Sequence, residues 1–89
     1  SVVVTLNKKA IGIITDGDIR RVFSKNQNIE DFNAKNLMSL NPQKISSDTL
    51  ASKALEIMNE HKITQLVVED DNKYIGLIHM HNIINEGLA

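Results

Sequence analysis

The feature that most constrains the fold is an internal repeat with an offset of 64 residues. The segment VVVTLNKKAIGIITDGDI aligns without a gap on LVVEDDNKYIGLIHMHNI. Seven positions are identical, among them Gly12 with Gly76 and Ile19 with Ile83, and most other apolar residues match apolar residues. A repeat of this kind predicts two related structural units.

Each copy has the pattern of a strand, a tight turn, a second strand and a helix. The β-branched runs Val2 to Val4 and Leu66 to Val68 predict the first strands, and AIGII and YIGLI predict the return strands. LNKK and DDNK supply turn residues between them. Each copy therefore predicts a β-hairpin that leads into a helix.

An amphipathic helix is predicted between the two copies. Apolar residues recur there at three- and four-residue spacings from Leu50 to Ile63, and Ser47 or Asp48 is expected to cap the helix. A short strand, Lys44 to Ser46, is expected before it. The second copy thus has a leading strand and helix for which the first copy shows no counterpart.

Composition excludes several classes of function. With no cysteine, the chain has neither disulfides nor thiolate metal sites. No apolar run approaches the roughly 20 residues that cross a bilayer, so we expect a cytoplasmic protein without membrane contact. A net charge of −1 and three aromatic residues argue against nucleic-acid binding.

The charges are unevenly distributed along the chain. Residues 1–25 carry five basic and two acidic side chains, a balance of +3, whereas the remaining residues carry five lysines and nine acids, a balance of −4. A small anionic ligand is therefore expected to bind near the first copy of the repeat.

The repeat, together with the segment between its copies, resembles the tandem cystathionine β-synthase (CBS) domain pair. The stretch NAKNLMSLNPQKISSDTLASKALEIMNEHKITQLVVEDDNKYIGLIHMHNI is similar to one complete unit. The resemblance implies an α/β (α+β) fold of β-α-β-β-α units, with small sheets packed against helices and an incomplete first unit. It divides the chain into the end of a first unit (1–25), a linker (26–41) and a second unit (42–89).

A narrower resemblance is carried by two motifs together, GIITDGDIRR and GLIHMHNIINEGLA. Their pairing resembles the CBS pair that follows the sugar isomerase domain in bacterial arabinose-5-phosphate isomerases. Those enzymes interconvert ribulose 5-phosphate and arabinose 5-phosphate, which supplies Kdo for lipopolysaccharide and capsule. The resemblance implies an upstream isomerase domain in the parent chain and no catalysis by this chain itself.

The same resemblance implies a regulatory module. An incomplete first unit would leave apolar hairpin surface uncovered, so we expect self-association as a homodimer or higher oligomer. The module requires no cofactor, and its expected effector is an adenosine or cytidine nucleotide or a nucleotide sugar such as CMP-Kdo. A purely structural dimerisation module with no ligand is the alternative, and the sequence leaves both open.

The candidate ligand-binding residues lie where a predicted strand passes into a predicted helix. Unpaired N–H groups and a partial positive charge at a helix N-terminus suit a phosphate. The resemblance implies that Thr15 binds the phosphate and Asp18 the ribose hydroxyls. Thr-x-x-Asp is equally a capping box, so capping without a ligand remains an alternative. The full candidate set is Thr15, Asp16, Gly17, Asp18, Arg20 and Arg21.

Neither a catalytic acid–base pair nor a metal site is expected in these motifs, and the second copy predicts a weaker ligand site than the first. Asp16 and Asp18 lack a nucleophile or third partner within the motif, so a catalytic acid–base pair is not expected. In the second copy, the equivalent residues predict a weaker site, because an imidazole and an amide replace the hydroxyl and the carboxylate; they are His79, His81 and Asn82. His-x-His spacing also occurs in metal sites, but no third ligand is evident, so no metal is predicted.

Overall fold

The computed structural model describes residues 1–85. The chain forms two compact units, Ser1–Pro42 (unit 1) and the residues from Gln43 onward (unit 2). Each unit contains a three-stranded sheet with its own helices. The predicted α+β class of small sheets and helices is therefore confirmed.

Unit 1 is built on an antiparallel hairpin. Its elements are β1 (Val2–Leu6), β2 (Lys9–Ile14), α1 (Asp16–Ser24), a 3-10 helix (Ile29–Asp31), α2 (Ala34–Leu37) and β3 (Ser39–Leu40). β3 pairs antiparallel with β2, so β2 is the central strand of the sheet. The segment 26–41, predicted as a linker, thus contains two short helical elements and returns to the sheet of unit 1.

Unit 2 has the predicted order of strand, helix, hairpin and helix. Its elements are β4 (Lys44–Ile45), α3 (Ala51–His61), β5 (Gln65–Asp70), β6 (Lys73–His79) and α4 (Met80–Asn85). β4 pairs parallel with β5, and β5 pairs antiparallel with β6. Residues 86–89, the end of the motif GLIHMHNIINEGLA, lie outside the described residues.

The expected N-cap of α3 is wrong. The helix begins at Ala51, and its N-cap is Leu50, which provides no side-chain hydrogen bond. The hydroxyl of Ser46 instead bonds to the side chains of Asp48 and Thr49. Ser47 and Asp48 lie in this turn, three and two residues before the N-cap, so neither is placed to cap the helix.

The repeat extends to details of backbone geometry. Both hairpins turn through two residues with positive φ, as type I′ turns require: Asn7 (52°), Lys8 (68°), Asp71 (51°) and Asn72 (62°). The register of each hairpin shifts at the equivalent place, Val4/Thr5 and Val68/Glu69. The two hairpins are therefore structural as well as sequence repeats.

The hairpins differ in how well their apolar residues are covered. In unit 2, Leu66 is 1% exposed and packs in a buried cluster with Ala54 and Met58 of α3 and Ile83 of α4. Val2, the residue equivalent to Leu66, is 60% exposed. The unit 1 hairpin therefore presents apolar surface to solvent.

A membrane-spanning helix is not found in the part of the chain that the structure describes, where every helix is too short or too polar to cross a bilayer.

Candidate ligand site at the start of α1

Thr15 connects the end of β2 to the start of α1 and caps the helix. Its backbone is extended, and its hydroxyl accepts a hydrogen bond from the Asp18 N–H at 3.3 Å. The Asp18 carboxylate reciprocates by accepting from the Thr15 N–H at 2.7 Å. The capping box predicted from the Thr-x-x-Asp spacing is therefore present.

Asp18 is buried, with only 3% of its surface exposed. Its Oδ2 accepts hydrogen bonds from the N–H and the hydroxyl of Thr15. Its Oδ1 accepts from the hydroxyl of Ser39 at 3.2 Å and from the guanidinium of Arg21. Because a carboxylate offers about four acceptor positions, donors of the chain itself occupy essentially all of them.

The environment of Asp18 favours its charged form. Burial raises the pKa of this carboxyl, but the hydrogen bonds from the N–H and hydroxyl of Thr15, from Ser39 and from Arg21 together lower it by more. The net pKa lies below the ordinary value of 3.8. Asp18 is thus an ionised carboxylate at neutral pH, although it is almost inaccessible to water.

Ser39 is a site residue that the sequence analysis missed. It lies 21 residues after Asp18, and the pairing of Ile13 with Ser39 across β2 and β3 brings it to the start of α1. Gly12 permits this approach, since a Cβ at that position would lie 2.7 Å from Cγ of Met38. A partner so distant in sequence leaves no local pattern, so only the pairing of β3 with β2 reveals it.

The other candidates in this stretch surround the cap. Asp16 is exposed, and its carbonyl oxygen accepts a hydrogen bond from Nε of Arg20 at 3.5 Å. Arg21 contacts Asp18, so the two arginines have different partners. Gly17 is half-buried in the first turn. The first turn of α1 thus combines a phosphate-compatible backbone with a buried negative charge.

The equivalent residues of unit 2 keep the cap with different chemistry. The carbonyl oxygen of the Asn82 side chain accepts from the His79 N–H at 2.9 Å, and Nδ1 of His79 accepts from the His81 N–H at 3.2 Å. The two imidazoles stack, with ring centroids 5.0 Å apart. The second copy therefore keeps the capping function and lacks the buried carboxylate.

Two further features of the described residues bear on ligands. Residues 1–85 contain no group of three or more His, Cys, Asp or Glu side chains placed to hold a metal ion. An open depression of about 480 Å³ in unit 2 is lined by Ser46, Ser47, Asp48, Glu69, Asp70 and Asp71. Four carboxylates in that depression disfavour anionic ligands there.

Two sheet-and-helix units related by a sequence repeat, each with a capped helix directly after its hairpin, define a tandem repeat of a small α+β domain. The family model of the CBS domain matches residues 34–89, more than half of the chain, and the chain belongs to the CBS-domain family.

Curated relatives place this module within longer proteins. Arabinose 5-phosphate isomerase KdsD of Pseudomonas aeruginosa is 33% identical over 89 residues, covering 99% of this chain and 27% of the relative. An uncharacterized protein of Rickettsia prowazekii is 40% identical over 79 residues, covering 89% of this chain and 24% of the relative. The chain therefore spans about a quarter of the length of these relatives.

Solved structures share the fold at low sequence identity. A CBS domain protein from Pyrobaculum aerophilum complexed with AMP matches with a TM-score of 0.82 and 20% identity, covering 97% of this chain and 71% of that one. The CBS domain pair of protein MJ0100, in complex with 5′-methylthioadenosine and S-adenosyl-L-methionine, matches with a TM-score of 0.77 and 24% identity, covering 94% and 65%. These likenesses confirm the fold.

Proposed function

We propose that the chain is the regulatory, ligand-sensing and dimerisation module of a sugar-phosphate isomerase that interconverts arabinose 5-phosphate and ribulose 5-phosphate. Its effector is an adenosine or cytidine nucleotide, or a nucleotide sugar such as CMP-Kdo. The match to KdsD along 99% of the chain supports the isomerase context. The structural neighbours complexed with AMP and with adenosine derivatives support a nucleotide effector.

The observation that carries the ligand-binding proposal is the ionised, buried carboxylate of Asp18 beside the N-terminus of α1. The first-turn N–H groups and the Thr15 hydroxyl suit the phosphate of a nucleotide. The Asp18 carboxylate suits the ribose hydroxyls, because a charged acceptor makes stronger hydrogen bonds than a neutral one. Both groups are positioned by the same turn.

Ribose binding at Asp18 requires an exchange of donors. Its acceptor positions are occupied, so the two ribose hydroxyls replace two donors of the chain. Ser39 and Arg21 are the donors to exchange, because Thr15 also holds the helix cap, and the Arg21 side chain is already 61% exposed. The Asp18 carboxylate accepts the same number of hydrogen bonds before and after the exchange. The free-energy cost of the exchange is therefore small compared with that of leaving a buried carboxylate unpaired.

Isothermal titration calorimetry with AMP, CMP and CMP-Kdo tests the nucleotide site. Asp18→Asn is expected to weaken binding at least about tenfold, because it removes a charge-assisted hydrogen bond to the ribose. Asp16→Asn is the matched control, since Asp16 is an exposed carboxylate in the same helical turn. Equal weakening by both variants, or no binding below millimolar concentration by a folded wild type, would refute the proposal.

Self-association is the second part of the proposal. Val2 and Leu6 of β1 are each 60% exposed and Phe23 of α1 is 59% exposed, and apolar surface of this kind favours association. Sedimentation velocity is expected to show a dimer or higher oligomer, and a monomer throughout the micromolar range would contradict this.

The purely structural alternative is tested in the parent enzyme. If the module only dimerises, a Thr15→Val, Asp18→Ala double variant should keep the oligomer and the activity of the parent enzyme, and nucleotides should change the activity of neither the wild type nor the variant.

A further inference from the structure

A cavity of about 190 Å³ lies in unit 1 along one face of α1. Asp18, Val22 and Lys25 line one wall, at the spacing that places residues on the same face of a helix. Phe32 and Asn36, from the segment predicted as a linker, also line the cavity. The cavity shares Asp18 and Arg21 with the proposed nucleotide site, but it also includes Lys25 near the C-terminal end of α1 and residues of the following segment, and so goes beyond that site.

The size of the cavity limits its ligand. Sites for drug-sized molecules have volumes of roughly 300–1,000 Å³, so the smaller volume of this cavity favours a ligand smaller than a complete nucleotide. At about 30 Å³ per water molecule, the observed volume holds roughly six waters. A phosphate group with a short carbon chain has the appropriate size.

The charges of the lining residues favour an anion. Asp18 supplies the negative charge of the lining, and the guanidinium of Arg21 neutralises it. Lys25 has no ion pair within the described residues, so its positive charge remains uncompensated there. Two carbonyl groups in the last turn of α1 are also paired, since the N–H groups of Lys25 and Gln27 donate to Arg21 and Val22 at 3.2 Å and 3.0 Å.

Two side-chain amides add hydrogen-bond donors. The Oδ1 atom of Asn36 accepts from the Asn33 N–H at 3.2 Å, which leaves the NH2 group of Asn36 as its donor for a ligand. Gln27 also lines the cavity and carries a second NH2 group. Phe32 is half-buried and offers an apolar surface to a short carbon chain.

We propose that this cavity binds a small phosphate monoester. Lys25 supplies the cation, and the amide groups of Gln27 and Asn36 donate to the phosphate oxygens. These three donor groups can contact three oxygens of a phosphate, whereas a planar carboxylate offers only two oxygens.

Nuclear magnetic resonance titration of the chain with inorganic phosphate and with glycerol 3-phosphate tests this proposal. We expect saturable shifts at the amides of Lys25, Gln27 and Asn36, with tighter binding of the ester because of Phe32. Lys25→Gln should weaken binding about tenfold. Lys9→Gln is the matched control, because it removes the same charge from an exposed lysine of the same unit outside the cavity lining, and it should change binding less than about twofold.

Several results would overturn the assignment. Shifts that do not saturate at tens of millimolar phosphate, or equal weakening by Lys25→Gln and Lys9→Gln, would show general charge attraction only. Shifts confined to the residues from Thr15 to Asp18 would place the phosphate at the helix cap, which supports the nucleotide site and excludes this one. Acetate binding as tightly as phosphate would refute the choice of a phosphate monoester.

Discussion

Gly12→Ala is expected to destabilise unit 1 because the new methyl group has no room. A Cβ at Gly12 would lie 2.7 Å from Cγ and 3.0 Å from Cβ of Met38. The second distance involves an atom fixed to the backbone of Met38, so rotation of that side chain cannot relieve the whole overlap. The backbone that leads into β3 must therefore shift, although the φ angle of Gly12 itself is compatible with alanine.

The repeat provides a matched control for this substitution. Gly76 is the equivalent residue of unit 2, and a Cβ there meets no atom within 4 Å. Overpacking typically costs about 1–3 kcal/mol, whereas Gly→Ala without a clash stabilises by about 0.4–1 kcal/mol through the unfolded chain. Subtracting the second effect from the first, we expect Gly12→Ala to lower the free energy of unfolding by about 1–2 kcal/mol, and Gly76→Ala to raise it by about 0.5 kcal/mol.

Native-state hydrogen exchange is the suitable measurement, because it reports each unit separately. Intrinsic fluorescence would report unit 2 alone, since the chain has no tryptophan and its single tyrosine is Tyr74. Protection of the β2 amides should fall in Gly12→Ala and recover in part when Met38→Ala is added, because that change removes the Cγ contact and keeps the Cβ contact. Unchanged protection in Gly12→Ala, or a loss that Met38→Ala does not reduce, would refute the packing argument.

Three other substitutions test the electrostatics and the backbone. Asp18→Asn should lower the free energy of unfolding of unit 1 by about 2–3 kcal/mol at neutral pH, because the buried carboxylate loses charge-assisted hydrogen bonds. The pKa of Asp18 in the folded state lies below its unfolded value of 3.8, so this stabilisation is complete above the unfolded pKa and disappears as the pH falls through the folded pKa. Hydrogen exchange should therefore show that the stability difference between wild type and Asp18→Asn shrinks in acid. A difference that does not change with pH would contradict this. Lys62 ends α3 in the left-handed backbone region, with a φ of 55°, which glycine adopts more easily than lysine. Lys62→Gly should therefore stabilise unit 2 by about 0.5–1 kcal/mol, measured by urea denaturation. A loss of stability would contradict backbone strain at this residue. Hydrogen bonds from the Ser47 hydroxyl and, to a smaller extent, from its N–H lower the pKa of Asp70. Ser47→Ala removes the hydroxyl, so it should raise the pKa of Asp70 toward 3.8, as measured from the titration of its carboxyl-carbon resonance. A titration identical to that of the wild type would exclude this cause.

Local patterns predicted most of the secondary structure. The β-branched runs, turn residues and amphipathic spacing indicated both hairpins and α3, because each depends on residues close in sequence. The cap of α3 was predicted wrongly for a tertiary reason. The N–H and hydroxyl of Ser47 both donate to Asp70, a residue 23 positions away, and this contact holds Ser47 in the turn before the helix, which begins only at Ala51.

The sequence by itself determined the repeat, the class of fold and the capping box of Thr15 and Asp18, because identical spacings of turn, strand and cap residues produce the same local geometry twice. The tertiary structure decided what surrounds Asp18. Ser39 reaches that carboxylate only because β3 pairs with β2, and the cavity beside α1 exists only because the segment 26–41 packs against that helix. Such contacts join residues that are far apart in sequence, so no local pattern around one residue indicates its partner.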